Sequence, residues 1–227
     1  MQQLKKLPII YSDVFISLGN TCKSAYWLQY AKLRKFALPL DWMRFYSLDT
    51  VLDMIKDKKI SYFEDFTETP IENSLTRHIT CNISKIECIH HFPMKYSVKE
   101  YLPTFLSMFN RRKIRFQNII KTYKNICFVT NRVDKVENII TFLKEVTILY
   151  PKTKFTMINV RKKEYSNYIN KYIINDNCIL YDYNINDLDE CINWKGNSSI
   201  WKNLMKKLKF NNERFKFYRK KKKNKYF

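Results

Sequence analysis

The chain has 227 residues, 45% hydrophobic and 16% aromatic, which is enough apolar material for one core and excludes an intrinsically disordered protein. It carries 42 Lys and Arg against 21 Asp and Glu, a formal charge of +21, yet no stretch approaches the roughly eighteen apolar residues of a membrane span. The six cysteines are scattered without a C-x-x-C pair, which excludes a zinc ribbon or a dithiol redox motif and fits a reducing compartment.

Positive charge of this size ordinarily points to nucleic acid or an anionic membrane. Here Lys, Asn, Ile and Tyr are abundant while Ala and Gly are scarce, the pattern of A/T-rich codon usage, so charge in the body of the chain is weak evidence of a partner. The opening MQQLKKLPII has too short an apolar run for a signal peptide. The expected location is therefore intracellular and cytoplasmic, with a nuclear address as the alternative. The sequons at Asn82 and Asn197 carry little meaning without a secretory route.

In chain order, Val14, Phe15, Ile16 and Leu18 predict a short buried strand, Gly19-Asn20 a tight exit, and Thr21 an N-cap before a helix that begins at Cys22. A thiol at a helix N-terminus has its thiolate favoured by unpaired N–H groups and the helix dipole. Cys22 is thus the candidate nucleophile, against the simpler reading of a packing cysteine where strand meets helix. The helix runs on through Leu33 to a basic end at Lys32, Arg34 and Lys35, and Pro39 then delivers Asp41 and Trp42 on an extended segment.

These residues carry a resemblance. The pattern I-S-L-G-x-x-C-x-x-A-x-x-L followed by L-R-x-x-A-x-P-x-D-W, here Ile16 to Leu28 and Leu33 to Trp42, resembles an uncharacterised family described as papain-like cysteine peptidases. The resemblance implies a cysteine-dependent hydrolase, either a peptidase or an acyl transferase. It also implies that Cys22 works with a histidine and an Asn or Asp.

Further on, Ser47 caps a second amphipathic helix reaching Lys58, and Tyr62 to Asn82 reads as loop and short helix. Lys85 to Pro93 is a short strand with His90 and His91 at its end, two of the three histidines in the chain. Either would serve as general base for Cys22, or both would be surface residues. In the family a His precedes Phe-Pro by one residue, a register that His90 fits with Phe92-Pro93. His91 stands where an acidic residue is expected, which keeps the choice open.

Tyr101 to Tyr123 is one long or two broken basic helices. Asn125 to Thr130 is a buried strand followed by a helix over Val136 to Val146, which puts Asn131 and Arg132 at the strand's carboxyl end. Lys154 to Val160 and Cys178 to Tyr183 are further strands, and a last helix opens after Trp194, Gly196 and Trp201, a spacing also found in the family. Residues 1–210 are expected to form one globular domain and 211–227 a basic tail. From Lys202 onward there are twelve Lys or Arg and one Glu, suited to a weak nucleic-acid or anionic-membrane contact.

Alternating strands and helices predict a three-layer α/β fold with a mostly parallel sheet and helices on both faces; the family resemblance implies instead an α+β papain-like fold. The predicted constellation is Cys22, His90 or His91, and Asn131 or Asp41, in the chain order papain uses, with backbone N–H groups from Asn20 to Lys23 as oxyanion hole. Neither metal nor cofactor is expected, and the substrate is not legible. The rival reading is a Rossmann-like ligand-binding or nucleotide-sugar transferase domain without a nucleophilic cysteine, its ligand held by Gly19, Asn20, Trp42 and Arg132. A non-enzymatic interaction protein is the third.

Overall fold

A computed structural model of the chain describes residues 7–162, 168–185 and 193–211. Cys191 and the expected tail beyond Asn211 lie outside the described residues. The fold is mixed α/β, built on two larger sheets and a two-stranded one.

The central five-stranded sheet has the order β2 (Val14–Ser17), β7 (Asn125–Thr130), β8 (Lys154–Lys162), β10 (Cys178–Ile185), β9 (Tyr168–Asn175). β2, β7, β8 and β10 run parallel, and β9 closes the edge antiparallel. Side chains alternate across a strand, and here both faces are buried, which is why these strands read as nearly unbroken apolar runs. Val14, Ile16, Ile126, Phe128, Phe155 and Met157 join one core with α2 (Leu48–Ile55), α3 (Val98–Thr122) and α4 (Val136–Leu149). Phe15, Cys127, Val129, Ile158, Val160 and Tyr183 join a second core with α1 (Lys23–Tyr30) and α5 (Ser198–Lys207). Within it the rings of Trp27 and Trp201 stack 6.4 Å apart at 2°, fastening α1 to α5.

The second sheet is antiparallel, in the order β3 (Met43–Arg44), β6 (Glu87–Pro93), β5 (Thr76–Cys81), β4 (Phe66–Thr69). It corrects the expectation of loop and short helix between Tyr62 and Asn82. β4 is an edge strand whose side chains are almost all exposed, so it lacks the apolar alternation that marks a strand in sequence. A short parallel pair of β1 (Ile10–Ser12) with β11 (Leu208–Phe210) brings the two ends of the described chain together. Asp13 secures that junction: its carboxylate accepts from the backbone N–H groups of Lys124 and Asn125 at 3.2 and 3.0 Å and from Asn211 Nδ2 at 3.1 Å.

Helices α2 and α3 start where their caps dictate. Ser47 accepts from the Thr50 N–H at 3.0 Å, and Ser97 with Glu100 forms a reciprocal capping box that opens α3 as one helix of 25 residues. Three of its six basic residues, Arg112, Lys113 and Arg115, are engaged within the fold. Arg115 donates to the Ala37 carbonyl at 2.8 Å, and Lys113 pairs with Asp57 at 3.5 Å. Helix α1 is shorter than its pattern predicts, because Lys32 adopts a left-handed backbone (φ 58°) just past the Ala31 C-cap. None of the described helices is long and apolar enough to cross a membrane.

Candidate active site

The turn between β2 and α1 is fixed from three sides. At its start the Leu18 carbonyl accepts from Thr130 Oγ1 at 2.9 Å, and the Asn20 carbonyl accepts from the Phe45 N–H at 3.0 Å. Ser17 and Ser24 hydroxyls meet at 2.7 Å, joining strand to helix. Gly19 is where the packing tolerates no side chain: a Cβ there would overlap Asn131 Oδ1 and Ser24 Oγ and come within 2.9 Å of the Thr21 carbonyl.

The helix begins one residue later than expected. Cys22, not Thr21, is the N-cap, its carbonyl accepting the first helical bond from the Tyr26 N–H at 2.9 Å. The Thr21 hydroxyl accepts instead from Asn131 Nδ2 at 2.8 Å. A residue 110 positions away in sequence has thus taken the group that would have capped the helix. Cys22 is buried, 6% exposed, and is not in a disulfide.

Cys22 lies on the wall of a 280 Å³ cavity that it shares with His90, Trp42, Thr21, Arg44, Ile89 and Trp194. The His90 ring meets the Trp42 indole edge-on, 5.9 Å between centroids at 87°. Burial, with the charges of Arg44 and His78, lowers the His90 pKa, so its imidazole is neutral at pH 7. Arg44 pairs with Glu87 at 3.4 Å and keeps a cation beside the thiol and the imidazole.

His91 faces a different neighbourhood, as strand alternation requires. Its Nε2 is 3.2 Å from Arg112 Nη1 and its Nδ1 is 3.4 Å from Cys88 Sγ. A guanidinium only donates, so Nε2 accepts and Nδ1 carries the proton toward the Cys88 sulfur. Burial, Arg112 and His90 push the His91 pKa down to about 4. Burial pushes the Cys88 thiol up to about 12, so this second Cys-His pair is neutral on both sides.

Two further predicted residues, Asp41 and Asn131, do not line the cavity. Asp41 Oδ2 accepts from Arg34 Nη1 at 3.0 Å and from the Leu38 N–H at 2.9 Å. The Arg34 guanidinium in turn covers the Trp42 ring at 5.5 Å. Asp41 is thus linked to His90 through Arg34 and Trp42. Burial pushes its pKa up to about 6 against the pull of the Leu38 N–H, Arg34 and Arg112.

Arg132 is a buried clamp. It donates to the Tyr46 carbonyl at 2.7 Å and the Leu18 carbonyl at 3.4 Å, and pairs with Asp134 at 2.8 Å. It supports the Gly19-Asn20 turn from below and is absent from the cavity wall. Thr21, expected only as a helix cap and part of the oxyanion-hole backbone, also lines the cavity, and Arg44, Ile89 and Trp194 line it without having been legible as site residues; only the W-x-G spacing drew notice to Trp194. Among the described residues, no group of three His, Cys, Asp or Glu is placed to hold a metal ion.

A thiol at a helix start and an imidazole that line one cavity are components that cysteine hydrolases as a class bring together. Residues 13–162 match the family described as "Putative papain-like cysteine peptidase (DUF1796)", and the chain belongs to that family. An uncharacterized protein of Acanthamoeba polyphaga mimivirus is 26% identical over 135 residues, a match covering 51% of this chain and 60% of the relative. The chain thus spans less than two thirds of that relative's length. No solved structure gives a significant match.

Proposed function

We propose that the chain is a cysteine-dependent hydrolase of the papain-like peptidase or acyl-transferase type, with Cys22 as nucleophile and His90 as general base. The observation that carries this reading is the single cavity shared by the Cys22 thiol and the His90 imidazole. His90, neutral at pH 7, accepts the thiol proton as sulfur attacks a carbonyl carbon. The carbonyl electrons move to oxygen, which the backbone N–H groups from Asn20 to Lys23 and the Arg44 cation stabilise. His90 then returns the proton to the leaving group, and water, deprotonated by the same imidazole, cleaves the acyl-thioester.

Trp42 is a positioning residue in this scheme, holding the imidazole edge-on. Asp41 acts at one remove by fixing Arg34 against Trp42, and Asn131 by fixing Thr21 beside the thiol. No carboxylate is among the causes that shift the His90 pKa, and Arg44 opposes an imidazolium. Two apolar cores on opposite faces of the five-stranded sheet support a three-layer arrangement around the site. The five described cysteines, all outside disulfides, support an intracellular setting.

The test is alkylation by iodoacetamide across pH, read by peptide mass spectrometry. Cys88 and Cys178, both pushed up to about 12 by burial, and Cys127, pushed up as well, are internal controls that should stay unlabelled at pH 7. Cys22 should react first, about tenfold or more slowly in His90→Ala, and with no site left in Cys22→Ala. Labelling of Cys22 no faster than the controls would refute the proposal.

The rival ligand-binding or nucleotide-sugar transferase reading has one specific support. Asn131 Oδ1, Arg161 Nη2 and Asn184 Oδ1, at the carboxyl ends of parallel strands, are buried without hydrogen-bond partners among the described residues. It requires a melting-temperature rise with a nucleotide sugar and indifference to Cys22→Ser.

A further inference from the structure

A second concavity, an open groove of 520 Å³, lies where the end of α1 meets α5 and β11. Its floor is apolar, with Leu33, Met205 and Leu208 buried beneath it. Its rim carries Lys32, Lys202, Lys206 and Lys209, all exposed, and no Asp or Glu lines it. Lys202 and Lys206 are four residues apart and so project from one face of α5, with Lys209 following on β11. Among the described residues none of these four lysines is in a salt bridge.

The groove is joined to the Cys22 cavity by a run of rings. Tyr30 lines the groove and stacks on Tyr26 at 6.2 Å; Tyr26 meets Trp194 edge-on at 5.0 Å, and Trp194 lines the cavity. Ammonium groups cover this run. Lys202 lies 5.8 Å from the Tyr30 centroid, and Lys195 lies 5.1 Å from Tyr26 and 5.5 Å from Trp194.

We propose that the groove binds an acidic segment of a polypeptide substrate, anchored by an apolar side chain on the floor, whose continuation passes along Tyr26 and Trp194 to Cys22. This rests on the thiol-hydrolase reading above and names its substrate class. Charge complementarity identifies an anionic occupant, and the rings identify which one. Single-stranded nucleic acid binds by stacking bases on open aromatic faces, whereas here Tyr30 stacks on Tyr26, Tyr26 meets Trp194 edge-on, and lysine ammonium groups lie over all three rings. Glu and Asp carboxylates spaced along an extended peptide meet lysines at such a rim, and an apolar side chain between them fills the floor.

The test uses the full chain and a fluorescein-labelled Glu-Glu-Leu-Glu peptide followed by anisotropy, with the Gln-Gln-Leu-Gln peptide as control. The pair Lys202→Glu and Lys206→Glu should weaken binding about tenfold or more; Lys221→Glu with Lys222→Glu, an equal change of charge in the C-terminal basic run, should weaken it less than about twofold. Lys202→Gln with Lys206→Gln gives an intermediate loss with no introduced repulsion. Equal losses in the groove and tail pairs would overturn the proposal, as would tighter binding of single-stranded oligothymidylate through the same groove lysines.

The acidic peptide carrying an iodoacetamide group should label Cys22 about tenfold faster than plain iodoacetamide, an advantage lost in the groove variant. The ratio of the two reagents cancels the intrinsic reactivity of the thiol. A ratio near one refutes the groove, while a slow reaction with plain iodoacetamide refutes only the activated thiol.

Discussion

Asp41 and His91 give this protein two buried ionisable groups whose effects on stability oppose each other over the same pH range. Burial raises the Asp41 pKa from 3.8 to about 6, so the folded protein holds this proton roughly a hundredfold more tightly than the unfolded chain. At about 1.4 kcal/mol per tenfold, that is about 3 kcal/mol of stability present at low pH and lost as pH rises from about 4 to 6. His91 runs the other way. Its pKa falls from 6.5 to about 4, so the unfolded chain binds the extra proton and about 3 kcal/mol is gained as pH rises from about 4 to 6.5.

Together the two nearly cancel, and neither is visible in the wild-type profile. The variants Asp41→Asn and His91→Gln unmask them. Urea unfolding followed by tryptophan fluorescence in small pH steps should show the stability of Asp41→Asn rising about 3 kcal/mol between pH 4 and 6.5, with His90, also lowered by burial, adding in the same direction. His91→Gln should fall by about the same amount, and the double variant should track the wild type. An Asp41→Asn profile parallel to wild type would refute the reasoning, because it would mean that Arg34 and Arg112 keep the carboxylate ionised down to pH 4.

Two predictions concern the frame of the site. Gly19→Ala places a methyl group against Asn131 Oδ1, Ser24 Oγ and the Thr21 carbonyl; the side chains can turn, but the backbone oxygen cannot. Overpacking together with the lost Asn131–Thr21 bond should cost about 2–4 kcal/mol in thermal unfolding, and an unchanged melting temperature would contradict the close approach. Arg132→Met strands the buried Tyr46 carbonyl, unpairs Asp134 and leaves the Leu18 carbonyl with Thr130 Oγ1 as its donor, for a loss of about 3–5 kcal/mol in denaturant unfolding. A loss below about 1 kcal/mol would mean that Arg132 does not brace the turn.

The sequence by itself determined the elements whose pattern is local. β2, β7, β8 and β10 are apolar runs because both their faces are covered, and α2, α3 and α4 are amphipathic, α2 with its cap at the adjacent Ser47. The family pattern around Cys22 lies inside one such stretch. β4 and β9 escaped because edge strands expose their side chains and so lack the alternation that reveals a strand.

Tertiary structure alone decided how neighbouring residues divide between different surroundings. Alternation along β6 separates His90 from His91, but only the approach of Trp42 and of Arg112 determines that the first faces the thiol cavity and the second a buried cysteine. Asn131 withdraws the Thr21 hydroxyl from the helix cap, and Trp194 reaches the cavity wall from the far end of the chain. The physical reason is common to all of these. Periodicity and capping follow from the φ, ψ and hydrogen-bond needs of consecutive residues, whereas a cavity wall is made by side chains whose separation in sequence leaves no local mark.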